Sequence, residues 1–317
     1  MKRTGNIYEK ITNLNNIESA IYKAAKGKGA RKTVEKILDS PTYYALQIQK
    51  ALKDKTYRPS PYVEMKIRDG ANKKERTIFK PRFYPDQVIH WALMLQIEPL
   101  IMRGMYEFSC ASIKNRGIMR GMRHLKKILV ADRKYTKYCL KIDIKKFYPS
   151  IDKEILKNKF RKIIKDKDTL FLIDLIIDSS QEGLPIGNFT SQWFANFYLQ
   201  DLDHFIKEDL KIKYYVRYQD DFLLFHNSKD YLKKCFVKIS DFLKKEDLKL
   251  NPKSRIYKST NNFIFLGRNK FGKYAKYRSI NKKIKKKFEL YNSNQLSLTS
   301  LSNSITCYQS LNKISRL

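Results

Sequence analysis

Acid is what this sequence has least of relative to its counterpart: 31 Asp and Glu stand against 66 Lys and Arg, a formal charge of +35 over 317 residues. A surplus of that size points to a polyanionic partner, because each phosphate neutralised by a cation releases condensed counterions. Cysteine is scarce too. The four thiols, Cys110, Cys139, Cys235 and Cys307, form no C-x-x-C pair, and the four histidines form no H-E-x-x-H, so neither a zinc site nor a disulfide framework is expected. There is no G-x-G-x-x-G and no G-x-x-x-x-G-K-[ST]; KGKGARK at 26–32 lacks the hydroxyl residue and reads as a solvated basic turn. No apolar run approaches the roughly 18 residues that a membrane span needs. The opening MKRTGNIYEK has no signal-peptide stretch either, so a cytoplasmic protein without a membrane partner is expected. What is present is core material. With 42% apolar residues the chain is no disordered basic tail.

Residues 1–60 read as helix, broken before Pro41, with Ile37, Leu38, Ala45, Ile48 and Leu52 as an apolar face. In 62–80, Val63, Met65 and Ile67 alternate with polar residues, Asp69–Gly70 is turn chemistry, and Thr77-Ile-Phe resumes an extended run; this predicts a hairpin with a basic rim. Gln87–Arg103 has helical spacing. Residues 138–143 are strand-like, helices are expected from about Asp152, over Leu170–Ile177 and over Thr190–Leu210, and Tyr214–Tyr218 with Phe222–Phe225 reads as a hairpin carrying acids at its tip. A helix at about 229–247 and a short strand pair at about 256–266 follow. From 266 to 289 there are ten Lys or Arg against one Glu. Ile280, Ile284, Phe288 and Tyr291 keep a helical period through that run, and a second helix over Leu298–Arg316 carries Ile305, Tyr308, Leu311 and Ile314.

Two segments put carboxylates where they are costly. Asp143 ends the β-rich run Leu140-Lys-Ile-Asp-Ile, and Asp220 and Asp221 sit between two apolar strands. Alone, each reads as a turn or cap. Brought together on strand ends, three acids would repel one another unless a cation bound among them. Mg²⁺ prefers carboxylate oxygens and keeps positions open for phosphates, and two such ions can activate an attacking hydroxyl and neutralise a leaving group.

In order along the chain, Arg76-Thr-Ile-Phe-Lys-Pro81 with Asp86-Gln-Val-Ile-His90, then Lys141-Ile-Asp-Ile-Lys-Lys-Phe-Tyr-Pro-Ser-Ile-Asp152, Leu184-Pro-Ile-Gly-Asn-Phe-Thr-Ser-Gln192, Tyr218-Gln-Asp-Asp221 and Phe265-Leu-Gly267 resemble the reverse transcriptases. The resemblance runs from about residue 60 to 270. It implies an α+β right-hand polymerase fold: an N-terminal helical extension over 1–60, fingers and a palm of antiparallel sheet packed on helices over 61–267, and a short basic helical thumb over 268–317. It implies Asp143, Asp220 and Asp221 as catalytic metal ligands with the Ile144 carbonyl as a further one. The cofactor would be two Mg²⁺ ions, with Mn²⁺ able to substitute. Tyr148 aligns with the aromatic gate against a ribose 2′-hydroxyl, Arg76 with the triphosphate-binding arginine, and Lys66 is its companion on the opposite strand. Ile186, Gly187 and Gln192 fall in the segment beneath the incoming nucleotide. Lys253 stands where related polymerases have a candidate general acid, although a surface lysine is its plainer reading.

Pro185-Ile186-Gly187 replaces the commoner Pro-Gln-Gly, and I-G-N-x-T-S-Q followed by Trp193-Phe-Ala-Asn196 resembles the diversity-generating retroelement branch, among the group II intron and retron-like bacterial enzymes. That resemblance implies error-prone copying of a retroelement template RNA for mutagenic retrohoming. The partners would be template RNA, an RNA/DNA heteroduplex, dNTPs and a small basic oligomeric accessory protein. A glutamine can hydrogen-bond near the sugar and an isoleucine cannot, which loosens checking of the nascent pair. The N-A-x-x-H and V-T-G elements of retron enzymes are not found, nor is a maturase or endonuclease extension. Gln219 departs from the small or apolar residue usual in the Y-x-D-D box. The alternatives are an antiphage-defence or retron-like reverse transcriptase, an inactive basic RNA-binding palm, and, least of all, a viral RNA-dependent RNA polymerase.

Overall fold

The computed structural model describes residues 3–69, 74–261, 263–269 and 277–313. Packing divides the chain into two interleaved units: residues 1–106, 144–204 and 240–249 in the first, and 107–143, 205–239 and 250–317 in the second.

The first unit opens with helices α1 (Tyr8–Ile11), α2 (Leu14–Ala25), α3 (Lys32–Asp39) and α4 (Pro41–Lys53), with Pro41 at the first turn of α4, where its missing N–H costs nothing. Strands β1 (Val63–Asp69) and β2 (Lys74–Lys80) form the expected antiparallel ribbon; Gly70, in its predicted turn, lies outside the described residues. Helix α5 (Val88–Met102) is apolar almost all round and correspondingly buried at most of its positions, Val88, Leu93, Ile97 and Ile101 among them, and packs against α2.

In the second unit, α6 (Ile118–Ala131) precedes β3 (Tyr138–Asp143). Back in the first unit come the short α7 (Phe147–Ser150), α8 (Lys153–Ile163), α9 (Lys167–Asp178), α10 (Phe189–Tyr198) and α11 (Gln200–His204). Asp152 caps α8 by accepting from Ile155 N at 2.7 Å, as its position suggests. The single helix expected over Thr190–Leu210 is instead broken after Tyr198 and continues past α11 as a wider turn over Phe205–Asp209.

Strands β4 (Tyr214–Tyr218) and β5 (Asp221–His226), helix α12 (Lys229–Lys245) and strand β6 (Arg255–Lys258) follow. The antiparallel sheet has the order β4-β5-β3-β6, with its core in Cys139, Leu140, Ile142 and Phe222–Phe225. One side is covered by α6 through Met122, Leu125 and Ile128. The strand pair expected at 256–266 is corrected here. β6 joins the sheet beside β3, while β7 (Ile264–Phe265) pairs with β8 (Arg268–Asn269). Leu266 and Gly267 both have positive φ, 53° and 72°, the signature of a two-residue hairpin turn that closes β7 on β8 and leaves β6 free to take the sheet edge.

Helices α13 (Tyr277–Asn292) and α14 (Leu298–Lys313) pack on each other. Residues 270–276, Ile314 and Arg316 lie outside the described residues, as do the side chains of Ile280, Tyr308 and Leu311. Phe288, expected on the inward face of α13, is 44% exposed, whereas Leu301 of α14 is buried. Cys110, Cys139 and Cys235 are buried free thiols.

Candidate active site

Sheet register gathers the acids. Asp143, the last residue of β3, lies directly across the ladder from Asp221, the first residue of β5, and Asp221 in turn pairs with Tyr218 of β4. Asp220 occupies the turn between β4 and β5, so Asp221 belongs to the ladder and Asp220 alone to the tip. The turn depends on Gln219 at φ 55°, an uncommon conformation for a side chain of that size. Fully buried Arg217 of β4 steadies it by donating from Nη1 to the Gln219 carbonyl at 3.4 Å.

Burial pushes the Asp221 carboxyl up to about 7; Lys141, whose Nζ lies 3.6 Å from Oδ2, opposes this, and Asp143 and Asp220 reinforce it. The buried Oδ1 of Asp221 has no hydrogen-bond partner. An orphaned carboxylate oxygen with two further carboxylates beside it is the donor chemistry of a hard divalent cation. Among the described residues, however, no three acid, histidine or cysteine side chains are already drawn into a ready cage.

Asn251 is a site residue that the sequence reading missed. Its N–H donates to the Asp143 carbonyl at 2.8 Å and its Nδ2 to Asp143 Oδ2 at 2.5 Å, while Asp143 N donates to Ser254 Oγ at 3.3 Å. The loop 251–254, immediately before β6, therefore aims the first acid. Asn251-Pro252 was the available signal, since that dipeptide marks a turn. Lys253 joins this loop through its backbone, donating to Asn251 Oδ1 at 3.1 Å, and its side chain is exposed.

Within the first unit, a second group of predicted residues converges. Leu184 N donates to the Tyr148 carbonyl at 2.9 Å. Gly183, at φ 40°, sits so close that a Cβ there would lie 2.3 Å from the same carbonyl. Phe79 N of β2 donates to the Ile186 carbonyl at 2.7 Å, and Gly187, at φ 108°, leaves no space for a Cβ against Ile78. Tyr148, the loop 183–187 and β2 thus form one connected surface. Tyr148 and Ile186 are half-buried, and Gln192 is exposed on the first turn of α10. Ile144 is buried and follows Asp143 directly in the chain. Lys66 and Arg76 do not converge. Lys66 pairs with Thr77 and Arg76 with Ile67, and alternation puts the two cations on opposite faces of the ribbon.

Beneath the loop runs a chain of hydrogen bonds with one direction, half-buried at Tyr62 and Ser179 and buried at Asn188 and His90. Ser179 Oγ donates to the Ile176 carbonyl at 2.6 Å, so it must accept from Tyr62 Oη at 2.7 Å. Tyr62 Oη then accepts from Asn188 Nδ2 at 3.3 Å, and Asn188 Oδ1 accepts from His90 Nδ1 at 2.9 Å. His90 is thereby fixed with its proton on Nδ1. Burial, opposed by Asp86 and by the Asn188 bond, lowers its pKa to about 4. An unfolded histidine takes up a proton near 6.5, so the unfolded chain binds more protons between those values. Stability should therefore fall as pH drops through that window, by about 3 kcal/mol. Urea unfolding across the window should show this slope in the wild type and a flatter one in His90→Gln; equal slopes would remove His90 as the cause.

The family model for reverse transcriptase (RNA-dependent DNA polymerase) matches residues 72–269, more than half of the chain and all three acids. Retron Ec73 reverse transcriptase of Escherichia coli is 34% identical over 176 residues, covering 51% of this chain and 53% of that protein. Retron Se72 reverse transcriptase of Salmonella heidelberg is 26% identical over 150 residues, covering 47% and 37%. These matches span about half or less of the length of the curated relatives. A telomerase from Candida albicans, solved in complex with a fragment of telomeric RNA, shares the fold at a TM-score of 0.50 and 13% identity, over 87% of this chain and 59% of that one. The expected right-hand polymerase architecture, helices with an antiparallel sheet, is the architecture found. Among the described residues no helix is long and apolar enough to cross a membrane.

Proposed function

We propose that this chain, which belongs to the reverse transcriptase (RNA-dependent DNA polymerase) family, polymerises dNTPs on an RNA template. The observation that carries the reading is the ladder pair Asp143–Asp221 with Asp220 at the adjoining turn. Asp143, Asp220 and Asp221, with the Ile144 carbonyl, would hold Mg²⁺ or Mn²⁺, which when bound would lower the pKa of a primer hydroxyl and neutralise phosphate charge. The protein's own part is positional. Asn251 orients Asp143, and Lys141 offsets part of the anionic charge until a cation is present. In this reading Tyr148 would pack under the deoxyribose, and Ile186, Gly187 and Gln192 would form the floor beneath the incoming nucleotide. Arg76 shares the Ile67–Ile78 face of the ribbon, and Ile78 packs on Gly187, which supports Arg76 over Lys66 as the triphosphate-binding cation. Lys253 is placed to deliver a proton only if its exposed side chain turns toward leaving pyrophosphate. Residues 268–317 would serve as the thumb, gripping duplex mainly through phosphates.

Two finer readings differ in the products they predict. Identity to two retron reverse transcriptases supports a retron-type enzyme. The segment I-G-N-x-T-S-Q at 186–192 supports a diversity-generating retroelement enzyme working with a small basic oligomeric accessory protein, which would supply the sequence preference that phosphate contacts lack. Sequencing cDNA made by the purified chain separates them. Errors concentrated opposite template adenines favour the second reading, and an even error spectrum favours the first. Under the second, Ile186→Gln should lower adenine-directed errors about fivefold, the worth of one added hydrogen bond near 1 kcal/mol. Its backbone will not shift, because the Ile186 carbonyl is held by Phe79 N. An unchanged adenine error rate would place the looseness elsewhere.

A further inference from the structure

At the end of the sheet away from the acids, the second unit carries a cavity of about 310 Å³, lined by Lys126, Leu129, Val130, Arg133, Thr136, Lys137, Ser259 and Thr260. No acid lines it. Residues 108–137 hold nine Lys or Arg and a single acid, Asp132. That carboxylate is committed elsewhere: Oδ2 accepts from Lys213 Nζ at 2.8 Å and Tyr214 Oη at 3.0 Å, and Oδ1 from Tyr135 N at 3.1 Å. The cations of the cavity keep their field.

Helix α6 shows why the cavity has this character. Met122, Leu125 and Ile128 are buried against the sheet. Leu129 closes that face, half-buried against the same core, and on the flank beside it Lys126 and Val130 are turned outward, Val130 62% exposed; Arg133 stands in the turn just past the helix end. An exposed apolar step framed by three cations is wasted on water. It suits a ligand with a flat apolar part and closely spaced negative charge, and its volume lies at the lower end of small-ligand sites, about the size of one nucleotide. The strand β3 begins directly after Lys137 and ends at Asp143, so the cavity stands about 20 Å along the sheet from the acids.

We propose that this cavity is a second RNA-binding site, which takes a nucleotide of single-stranded RNA outside the copied duplex. The base rests on Leu129 and Val130, and the flanking phosphates meet Lys126, Arg133 and Lys137. The identity of that RNA as template rests on the polymerase reading above; the binding itself does not. Holding template at a fixed distance from the acids would keep the strand attached between nucleotide additions without touching the chemistry.

The test uses the full chain and an oligouridylate probe. The triple variant Lys126→Ala, Arg133→Ala, Lys137→Ala should bind it roughly tenfold more weakly, with a salt slope about 2 smaller, given about 0.7 per phosphate contact for a single strand. Extension of a short primer–template at saturating concentration should be unchanged. With 4-thiouridine in the probe, photocrosslinks on the wild type should map to the peptide holding Leu129 and Val130 and should vanish in Val130→Asp, which decides the matter even if the triple variant fails to fold. An unchanged salt slope, absence of crosslinks between 126 and 137, or tighter binding of polyglutamate than of oligouridylate at this surface would overturn the proposal, the last assigning it to an acidic protein. A chain that crosslinks here but extends no primer would sink the polymerase reading and leave this site standing.

Discussion

Replacing Asp220 or Asp143 by asparagine is expected to cut divalent-dependent DNA synthesis on an RNA template at least about a thousandfold, the loss of roughly 4 kcal/mol of transition-state stabilisation. Asparagine keeps the shape and removes the charge, so the fold should survive. Asp221→Asn gives a sharper signature. Its side chain is half-buried, opposite Asp143 and next to Asp220, with the buried Oδ1 left without a partner. Removing one of three crowded negative charges should inactivate the enzyme while leaving the melting temperature in chelator unchanged or higher. Such an inverse relation marks a group retained for chemistry at a cost to stability. A structural acid would show the opposite: activity retained and stability lost. Single-turnover extension and thermal melting of the three variants together check this, and wild-type-like extension by any of them would withdraw that residue from the site.

Tyr148→Val should lower discrimination against ribonucleotides by roughly 30- to 100-fold while leaving dNTP incorporation within a few-fold of wild type. The basis is steric. A ring packed beneath the sugar leaves no room for one more oxygen, and rejection of an added hydroxyl by shape is worth about 2–3 kcal/mol. The structure favours a clean outcome, because the Tyr148 backbone is held independently of its ring: its carbonyl accepts from Leu184 N, and Gly183 packs against the same peptide. Truncating the ring should open space without moving the loop. Competition between rNTP and dNTP on one primer–template gives the ratio, and an unchanged ratio would make Tyr148 an ordinary packing residue.

The palm sheet was legible because its strands are apolar on nearly every position and stop at acids. Cys139, Leu140 and Ile142 are buried, as are Phe222–Phe225, and each run meets a carboxylate at one end. The ribbon was legible from the alternation of Val63, Met65 and Ile67. What failed was non-local. The hairpin turn length does not reveal which residues face one another, so only the register shows Lys66 and Arg76 to be on opposite faces. Strand β6 is four residues long and partly exposed, and its partner β3 lies more than a hundred residues earlier; nothing local distinguishes it from the nearer β7. Helix α6 escaped notice because its apolar residues are interspersed with five basic or histidine side chains, a glycine and an alanine, which blurs a stripe that packing nevertheless resolves. Asn251 carries no charge and belongs to no apolar pattern, so its role appears only when the loop before β6 closes on Asp143.

The central claim is that the acids at the end of the sheet direct templated DNA synthesis. The most direct measurement is to give the purified wild-type chain a primed RNA of known sequence, all four dNTPs and Mg²⁺, and to sequence what it makes. DNA complementary to the RNA, absent with chelator and absent with Asp220→Asn, is the result expected. Products unrelated to the template sequence, or none under conditions in which the folded chain binds the RNA, would contradict the account.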